Sequence, residues 1–416
     1  MKALVAAHLL PISQPPIKDG ALVIDDAKIV AIGERQKILS KYPNAAVEDF
    51  SHCILMPGLV NAHTHLELLF DEETGQTPQF LDTLLARWKY RERLSPTDRR
   101  RAIEEGVRQL LLSGTTSVGD VGNYVGVVPN TLQSPMRMVL FPELSVGKES
   151  PADAYQAVLS QVDEILEAKS PRIHAGIAPY SAYTLSRPLL KILARQARDL
   201  KIPLKIHAAE SFAEMQLFYE ASGEIVEKLF PAIGWEEVSP PALRKTPIQH
   251  LESIGFLEGK PTLVGCNHLA EPDIAILKRT GTKVIHSPRS NALFKLGAPP
   301  IEKLRKAKVP IGIGTDGNIS RHSLSLWDEM RYLQDHSTKD SHPSADDLLQ
   351  MATLEGARAL GLEEKVGSLE PGKEADLIAV RLPKEKTPKD LPKWLVSNVT
   401  PQEITAVYIA GQKIKR

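Results

Sequence analysis

The sequence predicts an α/β protein whose main domain is a (β/α)8 TIM barrel, accompanied by a small β-sandwich-like domain formed from both termini. Short apolar runs alternate with amphipathic helical stretches through the middle of the chain, a pattern typical of a parallel sheet covered by helices. Eight candidate strands span about 260 residues, the usual length of such a barrel. No G-x-G-x-x-G motif follows a strand, so a dinucleotide-binding fold is disfavoured.

The two ends of the chain differ from this middle part. Apolar runs bounded by glycine or aspartate occupy residues 20–25 and 28–33 near one end, and 376–380 and 404–410 near the other. We therefore expect residues 1–55 and 366–416 to form the small β domain, and residues 56–365 to form the barrel.

The barrel elements follow one another along the chain. The expected strands are 58–62, 115–118, 136–141, 172–177, 203–206, 262–266, 283–286 and 311–315. The expected helices include 96–112, 152–168, 185–200 and 273–280, in which apolar residues recur at helical spacing.

The charge composition argues for a small-molecule partner. The 416 residues contain 51 Lys and Arg and 51 Asp and Glu, so there is no basic excess to attract nucleic acid or an anionic membrane. The sequence leaves the oligomeric state open, and a homo-oligomer is compatible with it.

Cysteine usage indicates a reducing compartment. Cys53 and Cys266 are far apart in sequence and lack C-x-x-C spacing, which disfavours a disulfide framework or a structural zinc site. The apolar run 3–10 is too short for a spanning helix and has no small-residue cleavage site. We therefore expect no export signal and a cytoplasmic protein.

Polar residues collect just after several predicted strands. His63 and His65 follow the first strand, His207 the fifth and Asp316 the eighth. The active site of a TIM barrel lies at this end of the strands, so residues distant in sequence meet there. Residues i and i+2 of a strand project to the same face, so His63 and His65 can share one ion.

His207 and Asp316 would complete a nitrogen and oxygen ligand set suited to zinc, iron or manganese, with a position left for water. Such an ion lowers the pKa of bound water from about 15.7 to about 7. Glu210, three residues after His207, is a candidate general acid and base. Taken singly, each residue has a structural alternative: an exposed histidine pair, a strand-end histidine bonded to backbone, or an aspartate in a turn. The combination favours the metal site.

Four motifs resemble those of the amidohydrolase superfamily, specifically its aminohydrolase branch. They are Pro-Gly-Leu-Val-Asn-Ala-His-Thr-His-Leu-Glu at 57–67, His-Ala-Ala-Glu at 207–210, His-Ser-Pro-Arg-Ser-Asn at 286–291 and Gly-Thr-Asp-Gly at 314–317. That branch includes cytosine, guanine, S-adenosylhomocysteine and aminofutalosine deaminases and the triazine chlorohydrolases. The resemblance covers nearly the whole chain.

The resemblance implies a single divalent metal, zinc first, bound by His63, His65, His207 and Asp316. It implies that Glu210 protonates a ring nitrogen of an amino-substituted heterocycle while metal-bound hydroxide attacks the adjacent carbon. Asp316 would take the water's proton and pass it to the amine, which leaves as ammonia.

Two segments depart from the family pattern. Where relatives usually read His-Cys-x-His, this chain reads Gly265-Cys-Asn-His268, so glycine stands in place of the histidine that orients the attacking water. Either His268 reaches in from its loop, another group substitutes, or deamination is weakened; loss of a general acid or base costs about 10²–10⁴-fold in rate. Where relatives often carry Pro-His, this chain has Pro179-Tyr180, which places a phenol toward the substrate.

Three residues are predicted to bind substrate. Residues 80–88 resemble a loop that closes over the substrate in relatives, and Trp88 could stack on a planar ring; a helix face packed on the barrel is the equal alternative. Glu67 could accept a hydrogen bond from an amine or hydroxyl, or pair with an arginine. Tyr180 would alter hydrogen bonding and pocket size.

The leading functional hypothesis is a deaminase of a small heterocycle. A second hypothesis is hydrolysis of another C–N or C–Cl bond, as in a cyclic amide or a triazine-like ring. A third, motivated by Gly265, is a homologue that binds metal and ligand without turning the ligand over.

Overall fold

The structure is a computed structural model of the chain. It describes residues 1–71, 79–145, 150–235, 241–317, 323–336, 338, 341–383 and 388–414.

Strands and helices alternate through most of these ranges. The strands are β1 (Lys2–Leu9), β2 (Ile17–Asp25), β3 (Lys28–Glu34), β4 (Ala46–Pro57), β5 (Leu59–Thr64), β6 (Thr115–Gly122), β7 (Arg137–Leu144), β8 (Ile173–Ala175), β9 (Ala178–Pro179), β10 (Lys205–Ala208), β11 (Thr262–Gly265), β12 (Lys283–His286), β13 (Ile311–Ile313), β14 (Leu377–Arg381), β15 (Ile404–Ile409) and β16 (Gln412–Lys413). The helices are α1 (Arg35–Lys41), α2 (Phe80–Arg93), α3 (Pro96–Leu112), α4 (Val128–Thr131), α5 (Pro151–Glu167), α6 (Arg187–Leu200), α7 (Phe212–Glu220), α8 (Phe230–Ala232), α9 (Pro247–Ser253), α10 (Glu271–Thr280), α11 (Pro288–Leu293), α12 (Ile301–Lys306), α13 (Leu326–Asp335), α14 (Ala345–Met351), α15 (Leu354–Leu360) and α16 (Leu391–Asn398).

Both ends of the chain join one β-sheet. Its strand order is β16-β15-β14-β4-β1-β2-β3, so C-terminal strands lie beside β4, the last strand of the N-terminal part. β1 and β4 run parallel, whereas the other pairs are antiparallel. The sequence predicts a sandwich-like arrangement here; within the described ranges the structure instead has a single continuous sheet, because β14 pairs directly with β4.

The middle of the chain forms two parallel sheets. One has the order β5-β6-β7-β8, with β9 paired to β7, and the other has the order β10-β11-β12-β13. Isolated parallel bridges connect them on both sides: Thr64 with Asp316 on one side and Ile177 with Leu204 on the other. The strands are buried on both faces, as expected of parallel strands covered by helices.

Helix α3 shows why its prediction from sequence is accurate. Ser95 and Asp98 form a capping box at its start, Pro96 occupies its first turn, and its buried residues recur at helical spacing. For residues 80–88 the sequence leaves a closing loop and a helix face as equal alternatives, and the structure has the helix, which continues to Arg93.

Among the described residues, we find no helix with both the length and the apolar character needed to cross a membrane.

Candidate metal centre and active site

Three histidines from two strands converge at the carboxyl ends of the parallel strands. β5 carries His63 and is followed by His65, and β10 carries His207. One ring nitrogen of each lies within 4.8 Å of the others, and all three side chains are buried. The ring centroids of His63 and His65 are 4.8 Å apart, and those of His63 and His207 are 5.1 Å apart.

Asp316 completes this cluster from the loop after β13. Its carboxylate Oδ1 lies 3.4 Å from His63 Nε2 and 3.6 Å from His65 Nε2. Its main-chain N–H donates to the His63 carbonyl, and Ser290 Oγ donates to Oδ2 at 2.6 Å. Gly314 permits this approach, because a Cβ there would lie 2.6 Å from the His63 carbonyl oxygen.

Burial sets the protonation of the cluster. It lowers the pKa of His63 to about 3 and that of His65 well below its usual value, so both imidazoles are neutral at pH 7. Burial alone would raise the pKa of Asp316, but the nearby Arg87 guanidinium and the imidazoles hold it well below its usual range. Neutral imidazoles beside an ionised carboxylate are the protonation states a divalent cation requires.

The ring nitrogens of these histidines fit a cation. Both nitrogens of His63 and both of His207 are buried without a hydrogen-bond partner among the described residues. His65 Nδ1 lies 2.9 Å from the Val121 carbonyl and can donate to it, which directs the lone pair of Nε2 toward the cluster. Buried polar atoms without partners are costly, and a bound ion would satisfy one nitrogen of each ring.

Glu210 stands beside the cluster. Its Oε2 lies 3.5 Å from His207 Nδ1, and although burial alone would lower the pKa of His207, the Glu210 charge raises it. Its main chain is held on both sides: its N–H donates to Glu214 Oε2 at 2.9 Å, and its carbonyl accepts from Asn267 Nδ2 at 2.9 Å.

Gly265, where relatives usually carry histidine, cannot be replaced by a larger residue without movement. Its φ is +102°, and a Cβ would lie 2.9 Å from the Cβ of Glu210. The side chain of Glu210 therefore occupies the volume that a side chain at position 265 would need.

A cavity opens over the cluster. The described residues that line it are His65, Leu68, Phe80, Leu84, Arg87, Trp88, Arg91, Tyr180, His207, Glu210, Ser290, Phe294, Leu296 and Asp316. Trp88 and Tyr180, both predicted to bind substrate, lie together in its wall with ring centroids 5.7 Å apart.

Two of the residues predicted to act in catalysis or to bind substrate do not line this cavity. His268 is half-buried, packs its ring 6.2 Å from that of Phe212, and is absent from the lining residues. Glu67 adopts the alternative considered from sequence, because it forms ion pairs with Arg91 at 2.9 Å and Arg99 at 3.2 Å.

The sequence reasoning missed Arg87 and Arg91, which line the cavity from α2. Arg91 pairs with Glu67 and with Glu143, and Arg87 lies 3.5 Å from Asp316. A sequence pattern could have identified them, because Leu84, Arg87 and Arg91 follow i, i+3 and i+7 spacing and so lie on one face of α2. Two charged residues on the same face as a buried leucine indicate that this face lines a site.

A model of the amidohydrolase family matches residues 54–414, most of the chain. The chain belongs to the amidohydrolase family. The resemblance predicted from the four motifs is thereby confirmed, and with it the predicted class of hydrolase.

This amidohydrolase is 30% identical over 414 residues to a 5-methylthioadenosine/S-adenosylhomocysteine deaminase of Moorella thermoacetica, covering 97% of this chain and 91% of that one. It is 29% identical over 406 residues to an aminodeoxyfutalosine deaminase of Nitratiruptor, covering 96% of each chain. Its fold is similar to that of an adenosine deaminase from Xanthomonas campestris with bound zinc, with a TM-score of 0.85, 23% identity and coverage of 99% and 92%.

Proposed function

We propose that this amidohydrolase is a metal-dependent aminohydrolase that removes an amino group from a nitrogen heterocycle as ammonia. The observation that carries the proposal is the convergence of three buried imidazoles and an ionised aspartate beneath one cavity, with Glu210 beside them. The relatives at 29–30% identity are named as a 5-methylthioadenosine/S-adenosylhomocysteine deaminase and an aminodeoxyfutalosine deaminase, which supports the same class of reaction here.

We further propose that the two parallel sheets close into a (β/α)8 barrel. The bridges from Thr64 to Asp316 and from Ile177 to Leu204 support closure, because they continue the strand order at both open edges. In this proposal residues 56–365 form the barrel, and residues 1–55 and 366–416 form the small β domain.

His63, His65, His207 and Asp316 would hold a single divalent ion, with zinc favoured and iron or manganese as alternatives, since three imidazoles and one carboxylate suit all three. When bound, the ion supplies the acidity that makes water a nucleophile at neutral pH. The orphaned nitrogens of His63 and His207 support this assignment.

The residues of the chain then carry the protons. Glu210 protonates the ring nitrogen next to the reacting carbon while the oxygen of water forms a bond to that carbon. Asp316 accepts the proton that the water loses and returns it to the amine. The C–N bond breaks and ammonia leaves, and the second proton of the water returns to Glu210 as the C=O bond forms.

Gly265 favours a second candidate, a homologue that binds metal and ligand without catalysis. No side chain stands at position 265, and His268 does not line the cavity. Zinc-loaded protein assayed for ammonia release with aminopurines, aminopyrimidines, pteridines and nucleosides separates the two candidates. Release from one compound supports the aminohydrolase, whereas binding without release of ammonia or any other leaving group supports the second candidate.

The carboxylate of Glu210 provides the sharper test. We expect Glu210→Gln to retain the metal and to lower kcat by about 10²–10⁴-fold, because the amide cannot protonate the ring. The matched control is Glu220→Gln, an exposed glutamate at the end of α7, the helix that follows Glu210, and it should keep the wild-type rate. Loss of a general acid or base is expected to lower the rate by at least about 100-fold. A Glu210→Gln rate within about threefold of wild type would therefore contradict this role.

A cytoplasmic location is also a proposal. Its support is that both cysteines, Cys53 and Cys266, are buried and unpaired.

A further inference from the structure

Arg87 carries a buried donor that no described residue satisfies. Its side chain, 12% exposed, lines the cavity, and its Nη2 has no hydrogen-bond partner among the described residues. The nearest acidic atom is Asp316 Oδ2 at 3.5 Å, which is an ion-pair distance but too long for a hydrogen bond. That oxygen already accepts from Ser290 at 2.6 Å.

Arg91, one turn further along α2, differs from Arg87 in its ion pairs, although its Nε is also buried without a hydrogen-bond partner among the described residues. Its guanidinium is matched by two carboxylates, Glu143 at 2.6 Å and Glu67 at 2.9 Å. Both arginines lie on the inward face of the helix, and only Arg91 is matched by carboxylates of its own. The guanidinium of Arg87 therefore has hydrogen-bonding capacity to offer to a molecule in the cavity.

The position of this guanidinium is restrained before anything binds. Its central carbon lies 5.6 Å from the centroid of the Phe294 ring, and Phe80 packs edge-on against the same ring at 6.3 Å. Trp88, the next residue on α2, adds an indole Nε1–H that is also buried without a partner. The wall of the cavity formed by α2 thus combines aromatic surface with two unsatisfied donors.

A planar ring with an oxo group complements this wall. The rigid fork of arginine binds two acceptors that lie side by side, as an oxo oxygen and a neighbouring ring nitrogen do on the edge of guanine. An amino group at the same place presents hydrogens and opposes the fork. Desolvation in the cavity strengthens both effects.

We propose that Arg87 selects amino-substituted heterocycles that also carry an oxo oxygen, such as guanine or cytosine, over rings that lack one. The inference rests on the proposed function only in placing the ring in this cavity. The proposed substrates differ from 5-methylthioadenosine and S-adenosylhomocysteine, which the name of one relative gives, because the adenine ring carries no oxo group.

Matched pairs of compounds test the proposal. Each pair differs in one oxo group: guanine and 2-aminopurine, isocytosine and 2-aminopyrimidine, cytosine and 4-aminopyrimidine. Dissociation constants would be measured by calorimetry in zinc-loaded Glu210→Gln protein, so that turnover does not interfere. We expect the oxo member of at least one pair to bind about tenfold tighter or more.

Arg87→Gln in the same background should bring the members of that pair within about threefold of each other, a difference of about 0.65 kcal/mol. Arg87→Lys keeps the positive charge but loses the paired donors of the guanidinium, so it should reduce the preference in the same way. This second variant also provides a result if Arg87→Gln fails to fold. Lys89→Gln, an exposed change on the same helix, should retain the preference. Equal binding within every pair, no binding of any member, or a preference that survives both Arg87 variants would overturn the proposal.

Ammonia release is measured separately on wild-type protein. A preference that depends on Arg87 without ammonia release would overturn the proposed function and leave this inference standing. Ammonia release without such a preference would do the reverse.

Discussion

At the scale of single residues, the site depends on the close approach of the Gly265 backbone to Glu210, which leaves no room for a Cβ at position 265. Gly265 has a positive φ, and a Cβ added to it would lie 2.9 Å from the Cβ of Glu210. A side chain at the end of β11 would therefore collide with the proposed acid. The position of Glu210 is fixed further by Glu214 and Asn267. A side chain at position 265 would therefore displace Glu210 and lower the reaction rate in that way.

Gly265→Ala tests this contact against a matched glycine. Gly234 also has positive φ, at +78°, but a Cβ there meets nothing within 4 Å. We expect both alanine variants to lose about 1–2 kcal/mol of unfolding free energy from backbone strain, measured with urea. Only Gly265→Ala should also lower kcat, and equal kcat in the two variants would show that Glu210 is not held by this contact.

Sequence reasoning performs unevenly at this scale. The pair His63 and His65 is predicted because strand geometry places residues i and i+2 on one face, and that logic needs no tertiary information. Local sequence patterns do not reveal contacts between residues far apart in the chain. The unpaired Nη2 of Arg87 and the close approach of Gly265 to Glu210 both depend on such contacts.

At the scale of elements, the helices around the barrel strands pack through apolar faces that also bury titratable groups. Helix α9 places His250 against Phe218 of α7, with ring centroids 4.8 Å apart. Burial, with smaller contributions from Arg187 and Lys245, lowers the pKa of His250 to about 4. The folded protein therefore holds this imidazole neutral.

This gives a pH dependence with a defined sign. The unfolded histidine binds a proton below about pH 6.5, whereas the folded one does so only below about pH 4, so stability falls as pH drops through this window. We expect His250→Gln to make the fall shallower by at most about 1.4 kcal/mol per pH unit. Urea unfolding measured from pH 8 to pH 4 checks this, and parallel curves for the two proteins would refute it.

The elements also show where pattern reading succeeds. Helix α3 is predicted at its observed bounds because its cap, its proline and its periodicity agree. For residues 80–88 the sequence leaves open a loop over the substrate and a helix face packed on the barrel, and the structure makes them helical while Phe80 and Trp88 line the cavity. The predicted strands lie within a few residues of the observed ones, and the differences fall at strand ends, where the polar site residues interrupt the apolar pattern.

At the scale of the whole molecule, one buried arginine joins the terminal sheet to the parallel strands. Arg137, at the start of β7, is fully buried and donates from Nε to Asp376 at 2.9 Å and from Nη2 to Glu374. Asp376 in turn accepts from the main chain of Ala410 at 2.7 Å. The pairing of the terminal sheet with the rest of the chain is thus set by contacts across more than 200 positions, which the sequence pattern alone cannot assign.

Arg137→Met should therefore be costly. It leaves buried carboxylates without their cation, and we expect a loss of about 3–5 kcal/mol of unfolding free energy. Arg108→Met breaks an exposed pair with Glu105 and should cost about 1 kcal/mol or less. Urea denaturation compares the two, and similar losses would argue against a connecting role for Arg137.

The central claim is that His63, His65, His207 and Asp316 hold one divalent ion. Elemental analysis of protein purified with zinc tests it most directly, with His63→Ala compared with wild type and with His250→Gln, a buried histidine outside the cluster. We predict one ion per chain in wild type and in His250→Gln, and a large loss in folded His63→Ala. Undiminished metal content in His63→Ala would contradict the account.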